Sequence, residues 1–396
     1  MVRAVAPQAA RQPNLERPSQ GRRRCGPVAG FDESTTLSER AGQLEQALLR
    51  AWSHKGLWAW VWSPLALVMW ALTSVRRLAY AQGWLAADPL PVPVLVVGNR
   101  IAGGAGKTPA TLAILAHLRA QGWRPGVLTR GYGADLGSSP HRLLDAQSAA
   151  SSSARECGDE PMLIWRRSGV PVMIGRDRRR AGLALLAAHP ELDILVCDDG
   201  LQHLQLPRDA EVVVFDDRGA GNGWLMPSGP LRESINSRSG SRSGQPPVVL
   251  YNAPAPSTPL PGHLARRQLA PMQPLQDWAA ALPASGSPQP PRDAELWACA
   301  GIAQPGRFFA SLREQGWRVH GVPLPDHADW SRLADWPWPP EVAHVAITEK
   351  DAVKLDLTRL QRQRPRTTVW VAALHFDPEP AFWTALDSLL PRAPHA

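Results

Sequence analysis

An apolar run that breaks into glycine-rich backbone and ends in Lys-Thr leaves few folds open to this chain. Val94-Leu95-Val96-Val97-Gly98-Asn99 leads into Arg100-Ile101-Ala102-Gly103-Gly104-Ala105-Gly106-Lys107-Thr108, and a helical pattern holds from residue 108 to 120. A buried strand, a glycine loop and a helix start in that order form a cradle for an anion. Glycines let backbone N–H groups approach phosphate oxygens, and the helix N-terminus adds positive potential. Lys107 supplies a counter-charge, and the Thr108 hydroxyl is a ligand for Mg²⁺. The nucleotide-binding candidates are therefore Gly103, Gly104, Ala105, Gly106, Lys107, Thr108 and Pro109, with Lys107 also a catalytic candidate. A strict G-x4-G-K-[ST] pattern wants glycine where Ile101 stands. A generic turn with an exposed lysine is the competing reading, and the flanking strand and helix argue against it.

Such a loop needs a second acidic group from a neighbouring strand. Asp193-Ile194-Leu195-Val196-Cys197-Asp198-Asp199-Gly200 is an apolar strand that presents two acids at its carboxyl end. Side chains alternate along a strand, so Asp198 and Asp199 should point differently. One can enter the Mg²⁺ shell while the other orients a loop or substrate. The metal candidates are Thr108, Asp198 and Asp199.

Short apolar runs alternate with helical segments from residue 93 onward, at 94–97, 126–129, 172–174, 192–197, 211–215 and 248–251. This is the pattern of βαβ units in a mostly parallel sheet. A second set follows at 295–299, 318–322, 342–348 and 368–372, with a helix over 307–315. The expected fold is α/β: a P-loop NTPase-like, mostly parallel sheet with a second, smaller α/β lobe. Residues 89–252 form the first lobe, 253–292 a Pro-rich connector with a short helix near 275–282, and 293–392 the second lobe. The polar stretches 138–153 and 234–245 read as solvated insertions.

The front of the chain differs. Residues 1–46 mix Arg, Pro, Gln, Gly and Ser without periodicity and read as a disordered basic extension. Arg22-Arg23-Arg24 has no apolar run behind it, which argues against a cleavable signal. Residues 47–88 form a membrane-associated segment. Gly56 to Val75 carries no charge and has about the length that crosses a bilayer. Trp52, Trp58, Trp60, Trp62, Trp70 and Trp84 crowd it as interfacial anchors do, with Lys55 before it and Arg76 and Arg77 after. Pro64 should kink or interrupt a helix there. A buried core helix is the alternative. The net charge of +8 draws the surface to anions but does not choose among nucleic acid, phosphorylated substrates and acidic lipid. Cys25, Cys157, Cys197 and Cys299 lie far apart, so neither a zinc site nor a disulfide framework is indicated.

Asp198-Asp199-Gly200-Leu201-Gln202-His203 resembles the DDGLQH block of the tetraacyldisaccharide 4'-kinases. Thr129-Arg130-Gly131-Tyr132-Gly133, Gly158-Asp159-Glu160-Pro161 and Pro227-Ser228-Gly229-Pro230-Leu231-Arg232-Glu233 are similar to further blocks of that family. So are the stretch from Ala300 to Phe309, the Asp326-His327 pair, and Thr348-Glu349-Lys350-Asp351-Ala352-Val353-Lys354. Ile101 is in pattern for that family's loop. The blocks run in family order over roughly residues 47 to 375.

The resemblance implies an ATP-dependent, Mg²⁺-assisted kinase acting on the 4'-hydroxyl of a tetraacylated glucosamine disaccharide 1-phosphate in lipid A biosynthesis. Its place would be the cytoplasmic face of a bacterial inner membrane, with no nucleic-acid partner. It also implies an Asp159–His327 dyad in the cleft, Asp159 being the candidate base. From residue type alone, Asp159 also has the competing reading of a helix N-cap. Asn99, Arg130, Arg232 and Glu233 are the substrate-binding candidates, although Arg232 and Glu233 could simply pair with each other. His203 reads as a loop residue before a catalytic one. Thr348-Glu349-Lys350-Asp351 puts its lysine one place late for the guanine-reading N/T-K-x-D pattern. The rival readings are a membrane-associated P-loop ATPase or GTPase switch and a tethered nucleic-acid binder.

Overall fold

Strands whose every residue is apolar need cover on both faces, and that requirement shapes the molecule. The computed structural model describes residue 48 and residues 50–237, 240–282, 286–331, 333 and 335–393. The chain first lays down β1 (Val94–Gly98), β2 (Pro125–Thr129), β3 (His141–Leu144), β4 (Val172–Gly175), β5 (Ile194–Asp198), β6 (Ala210–Asp216), β7 (Val248–Asn252) and β8 (His263–Leu269). It then forms a smaller sheet from β9 (Gln273–Pro274), β10 (Glu295–Ala300), β11 (Arg318–Pro323), β12 (His344–Thr348) and β13 (Thr368–Ala372), and returns with β14 (Leu374–Pro378). The nine-stranded sheet has the order β14-β8-β7-β6-β1-β5-β2-β4-β3, and the five-stranded one β11-β10-β12-β13-β9. Pairing is parallel except at the margins, where β3 on β4, β14 on β8 and β9 on β13 are antiparallel.

β1, β5, β6 and β7 are buried along their whole length. On one face the helix Lys107–Ala120 packs Ile114, Leu115 and Leu118 against Leu95 and Val97. On the other, the helix Arg178–Ala188 packs Ala181 and Leu185 against Leu128 and Leu195. β1 lies between β5 and β6, with Val96 opposite both Cys197 and Glu211. The glycine loop after β1 and the acids after β5 therefore emerge side by side. Cys157, Cys197 and Cys299 are buried free thiols.

Three expectations need correcting. The stretch 138–153 is not all solvated insertion, because β3 lies inside it and buries Leu144 on the sheet edge. The connector 253–292 carries β8, which extends the larger sheet beyond residue 252. The second lobe closes at 372, not 392. β14 and the helix Pro380–Asp387 belong to the larger lobe, where Phe382 and Leu386 are fully buried in its core. The reason is common to all three. Strands at or next to the margin of the sheet bury one face or less, so their sequences lack the continuous apolar run of a central strand.

The apolar front forms one 25-residue helix, Leu57–Ala81, with Pro64 inside it. Proline removes the N–H that would bond the Trp60 carbonyl. The Ser63 hydroxyl donates to that oxygen instead, at 2.8 Å, so the helix continues. Only Ala59 and Ala66 are buried along it, which excludes the buried-core alternative. The helix is long and apolar enough to cross a membrane. Ties to the larger lobe include the Trp52 indole donating to Pro227 O at 2.8 Å, the Asn222 N–H donating to Trp52 O at 2.8 Å, Trp60 meeting Trp224 edge to face, and Arg77 pairing with Glu233. The extension at 1–46 and Cys25 lie outside the described residues.

Candidate active site

The loop after β1 is held open by side chains from beneath. The Asn99 amide donates to Gly103 O at 3.0 Å and accepts from the Lys107 ammonium at 3.4 Å. Asn252, at the end of β7, donates to Ala105 O at 2.9 Å, and Arg218 donates to Gly104 O at 3.0 Å. Gly106 has φ +86, and a Cβ there would sit 2.0 Å from Asn252 Nδ2, so only glycine fits both the turn and the packing. Ile101, off the strict pattern, is buried and bridges Leu231. The Pro230–Arg232 backbone runs alongside, with Ala102 N–H on Pro230 O and Arg232 N–H on Arg100 O, both at 2.8 Å. Glycine at 101 would forfeit that core contact.

The two acids diverge, Asp198 ending β5 and Asp199 lying in the turn just beyond it. Asp198 is 1% exposed and accepts from the Thr111 hydroxyl at 2.8 Å, while its Oδ2 is buried without a hydrogen-bond partner. Burial, then the nearby Glu160 carboxylate, pushes its pKa up to about 7. Asp199 takes a left-handed φ of 52, which aspartate tolerates better than most residues. Its carboxylate turns to Lys107 at 3.5 Å and Arg232 at 3.3 Å. Burial raises its pKa, but those two cations outweigh it and hold the group below the usual carboxylate range.

The second lobe brings His327 to the first. Its Nδ1 lies 3.0 Å from Asp159 Oδ2, and its Nε2 lies 3.1 Å from Lys350 Nζ. Lys354 stands 3.4 Å from the same Asp159 oxygen. Burial lifts the Asp159 pKa, and the His327 hydrogen bond with Lys354 more than reverses it, so the net shift is downward. Gly158, not Asp159, is the N-cap of the helix Asp159–Ser168, and Asp159 is its first residue. The capping alternative therefore fails. The lobes also meet through Arg167, whose Nη1 donates to both Glu349 carboxylate oxygens at 2.6 and 2.7 Å, and through an Arg307–Asp217 ion pair. Between them lies a cleft of about 1970 Å³, lined by Gly103–Pro109, Asp199, Arg232, Glu160, Tyr132, His327 and Lys350 among others.

Not every candidate reaches the cleft. Asn99 is fully buried under the loop, so its place is that of a scaffold, not a substrate contact. Arg130 is exposed just past β2 and does not line the cleft. Glu233 points away from Arg232. It meets Arg77, the Gln202 amide at 3.2 Å and Arg100 at 3.9 Å, and is itself buried. His203 lies outside the cleft with a buried, unpartnered Nε2. Burial, then Arg178 and Arg208, pushes its pKa down to about 4. Glu160, Lys350, Lys354 and Tyr132 carried no assigned role in the sequence. Lys350 lies in the short helix Glu349–Ala352 and Lys354 in the turn just past it.

A family model described as tetraacyldisaccharide-1-P 4'-kinase (LpxK) matches residues 58–391. A protein named tetraacyldisaccharide 4'-kinase from Leptothrix cholodnii is 51% identical over 362 residues, spanning 90% of this chain and 99% of its own. Another of that name, from Methylibium petroleiphilum, is 50% identical over 353 residues, spanning 89% and 95%. The crystal structure of LpxK from Aquifex aeolicus in complex with ATP superposes with a TM-score of 0.65 at 23% identity. It covers 84% of this chain and 99% of that one, a likeness of fold.

Proposed function

The chain belongs to the tetraacyldisaccharide-1-P 4'-kinase family, and on that footing we propose how its residues divide the work. The reaction is transfer of the ATP γ-phosphate to the 4'-hydroxyl of a tetraacylated glucosamine disaccharide 1-phosphate in lipid A biosynthesis. One observation carries the division: a glycine loop with its lysine and a carboxylate–imidazole pair face one cleft from two lobes.

The loop N–H groups and Lys107 take the phosphates, and Asp199 holds Lys107 and Arg232 where charge develops on the transferring group. A divalent cation fits beside them. The unpartnered Asp198 Oδ2 is a buried oxygen awaiting a positive partner, and the Thr108 hydroxyl is the second donor. Mg²⁺ held there would neutralise phosphate oxygens. Asp159 accepts the proton of the attacking hydroxyl. Its lowered pKa keeps it ionised at neutral pH, and the loose transition state of phosphoryl transfer asks little of a base before bond formation is advanced. The His327 Nδ1–H bond fixes the carboxylate. Lys350 and Lys354 balance its charge.

The apolar helix seats the enzyme on the cytoplasmic face of the inner membrane, where a tetraacylated substrate resides. The decisive experiment supplies ATP, Mg²⁺ and the disaccharide 1-phosphate and follows product mass. A gain of one phosphate with stoichiometric ADP is expected. ADP formation indifferent to the acceptor would overturn the reading in favour of a hydrolytic switch.

A further inference from the structure

Tyr132 is 73% exposed, the most exposed large apolar side chain among the described residues outside the region of the Leu57–Ala81 helix. Aromatic surface left in water at the wall of a polar cleft calls for a ligand. The residue is displayed by construction. Gly131 and Gly133 on either side have φ +66 and +76, which turns the chain sharply at the end of β2. The turn rests on the one bearing Asp159, since a Cβ on Gly158 would meet the Tyr132 carbonyl oxygen at 3.0 Å. The phenol ring stands 5.3 Å from the His327 imidazole, tilted by 48°, and lines the cleft with Glu160 and Lys350.

The sheet order says which ligand passes over it. β5 and then β2 lie to one side of β1, while β6 and β7 lie to the other. Lys107 leans toward Asp199 at the end of β5, so the terminal phosphate sits on the β5 side of the loop. In-line transfer places the acceptor beyond that phosphate, over β2, and the rest of the nucleotide away from it. The group over Tyr132 is thus the acceptor.

We infer that Tyr132 is the platform on which the hydroxyl-bearing glucosamine ring lies, and that its stacking turns the 4'-hydroxyl toward Asp159 and His327. A glucosamine ring with equatorial substituents presents a flat face of C–H groups, which suits the electron-rich face of a phenol. Tyr132 is a positioning residue, and the ring, not the hydroxyl, does the work. The inference rests on the acceptor reading above.

Steady-state kinetics of the full-length enzyme in mixed detergent micelles tests it, with ATP and the disaccharide 1-phosphate varied in turn. Tyr132→Ala should raise the acceptor KM about 10-fold and leave the ATP KM within about twofold, as expected for loss of one aromatic stacking partner. Tyr132→Phe and Tyr132→Trp should stay within about twofold of wild type on both. The thermal midpoint should not move in any variant, because the side chain is in solvent. An unchanged acceptor KM in Tyr132→Ala overturns the inference. So does Tyr132→Phe behaving like Tyr132→Ala, which assigns the hydroxyl, or a matching rise in ATP KM, which assigns the nucleotide. Failure of the wild-type enzyme to phosphorylate the disaccharide would instead strike the acceptor reading itself.

Discussion

Glu233→Gln isolates what the buried charges behind the active site contribute. Arg100 is 3% exposed, and burial lowers its pKa; Glu233 is the foremost charge opposing that shift, ahead of Glu211. The Arg100 guanidinium also donates to the carbonyls of Ile235 and Ser237, which satisfy hydrogen bonds but bring no charge. Neutralising Glu233 therefore leaves a desolvated cation without its principal partner. Removing one member of a buried pair costs about 3–5 kcal/mol. The Gln side chain keeps a carbonyl acceptor, so the low end, about 3 kcal/mol, applies here. With a urea m-value of about 3 kcal/mol/M, the unfolding midpoint should fall by about 1 M. Arg77, whose side chain is 27% exposed, meets the same carboxylate from the solvent side, so Arg77→Gln should cost less than about 1 kcal/mol. Urea titrations of both variants in detergent, followed by tryptophan fluorescence, give the comparison. Equal losses in the two variants would refute the reasoning, because the helix tie and not buried Arg100 would then set the cost.

Lys107→Ala should abolish transfer with the thermal midpoint within a few degrees of wild type, and near-normal turnover would remove the loop from the mechanism. Asp159→Asn should cut kcat at least about 100-fold with the ATP KM unchanged, and His327→Ala less. Since the two act through one hydrogen bond, the double variant should be no worse than Asp159→Asn alone, and multiplicative losses in kcat would separate them. Asp159 has a depressed pKa in the folded state, so the stability it adds is complete above the usual carboxylate range and is lost as pH falls through it. Asp159→Asn should accordingly lose less stability than wild type between about pH 5 and pH 2, and parallel denaturation curves would contradict this. The full-length chain should stay in the membrane pellet through a high-salt wash, because nearly the whole Leu57–Ala81 helix offers apolar surface; release by salt alone would mean that charge does the holding.

Central strands announced themselves because burial on both faces forces unbroken apolar runs, as in 94–97 and 194–197. β8, reading His-Leu-Ala-Arg-Arg-Gln-Leu, buries only Ala265 and so looks like connector. The glycine loop was legible because phosphate chemistry dictates its residues locally. The pairing of Asp159 with His327 was not. The two are 168 positions apart, and nothing in either neighbourhood except family resemblance joined them. Asn99 misled for a related reason: a polar residue beside a phosphate loop reads the same whether its amide faces a ligand or the loop's own carbonyl. Glu233 follows Arg232 in sequence yet turns the other way, to Arg77 and Arg100, while Arg232 meets Asp199.

The smaller lobe leaves the larger one after Leu269 and rejoins it at Leu374, and these two residues are register partners. In topological terms it is a detour spliced into a finished sheet, with its entrance and exit touching. Closing roughly a hundred residues into such a detour costs the host sheet only a logarithmic entropy term. His327 and Lys350 both belong to that detour, so their 3.1 Å spacing is set inside it, whereas the 3.0 Å approach of His327 to Asp159 is set across the paired straps that join it to the host sheet.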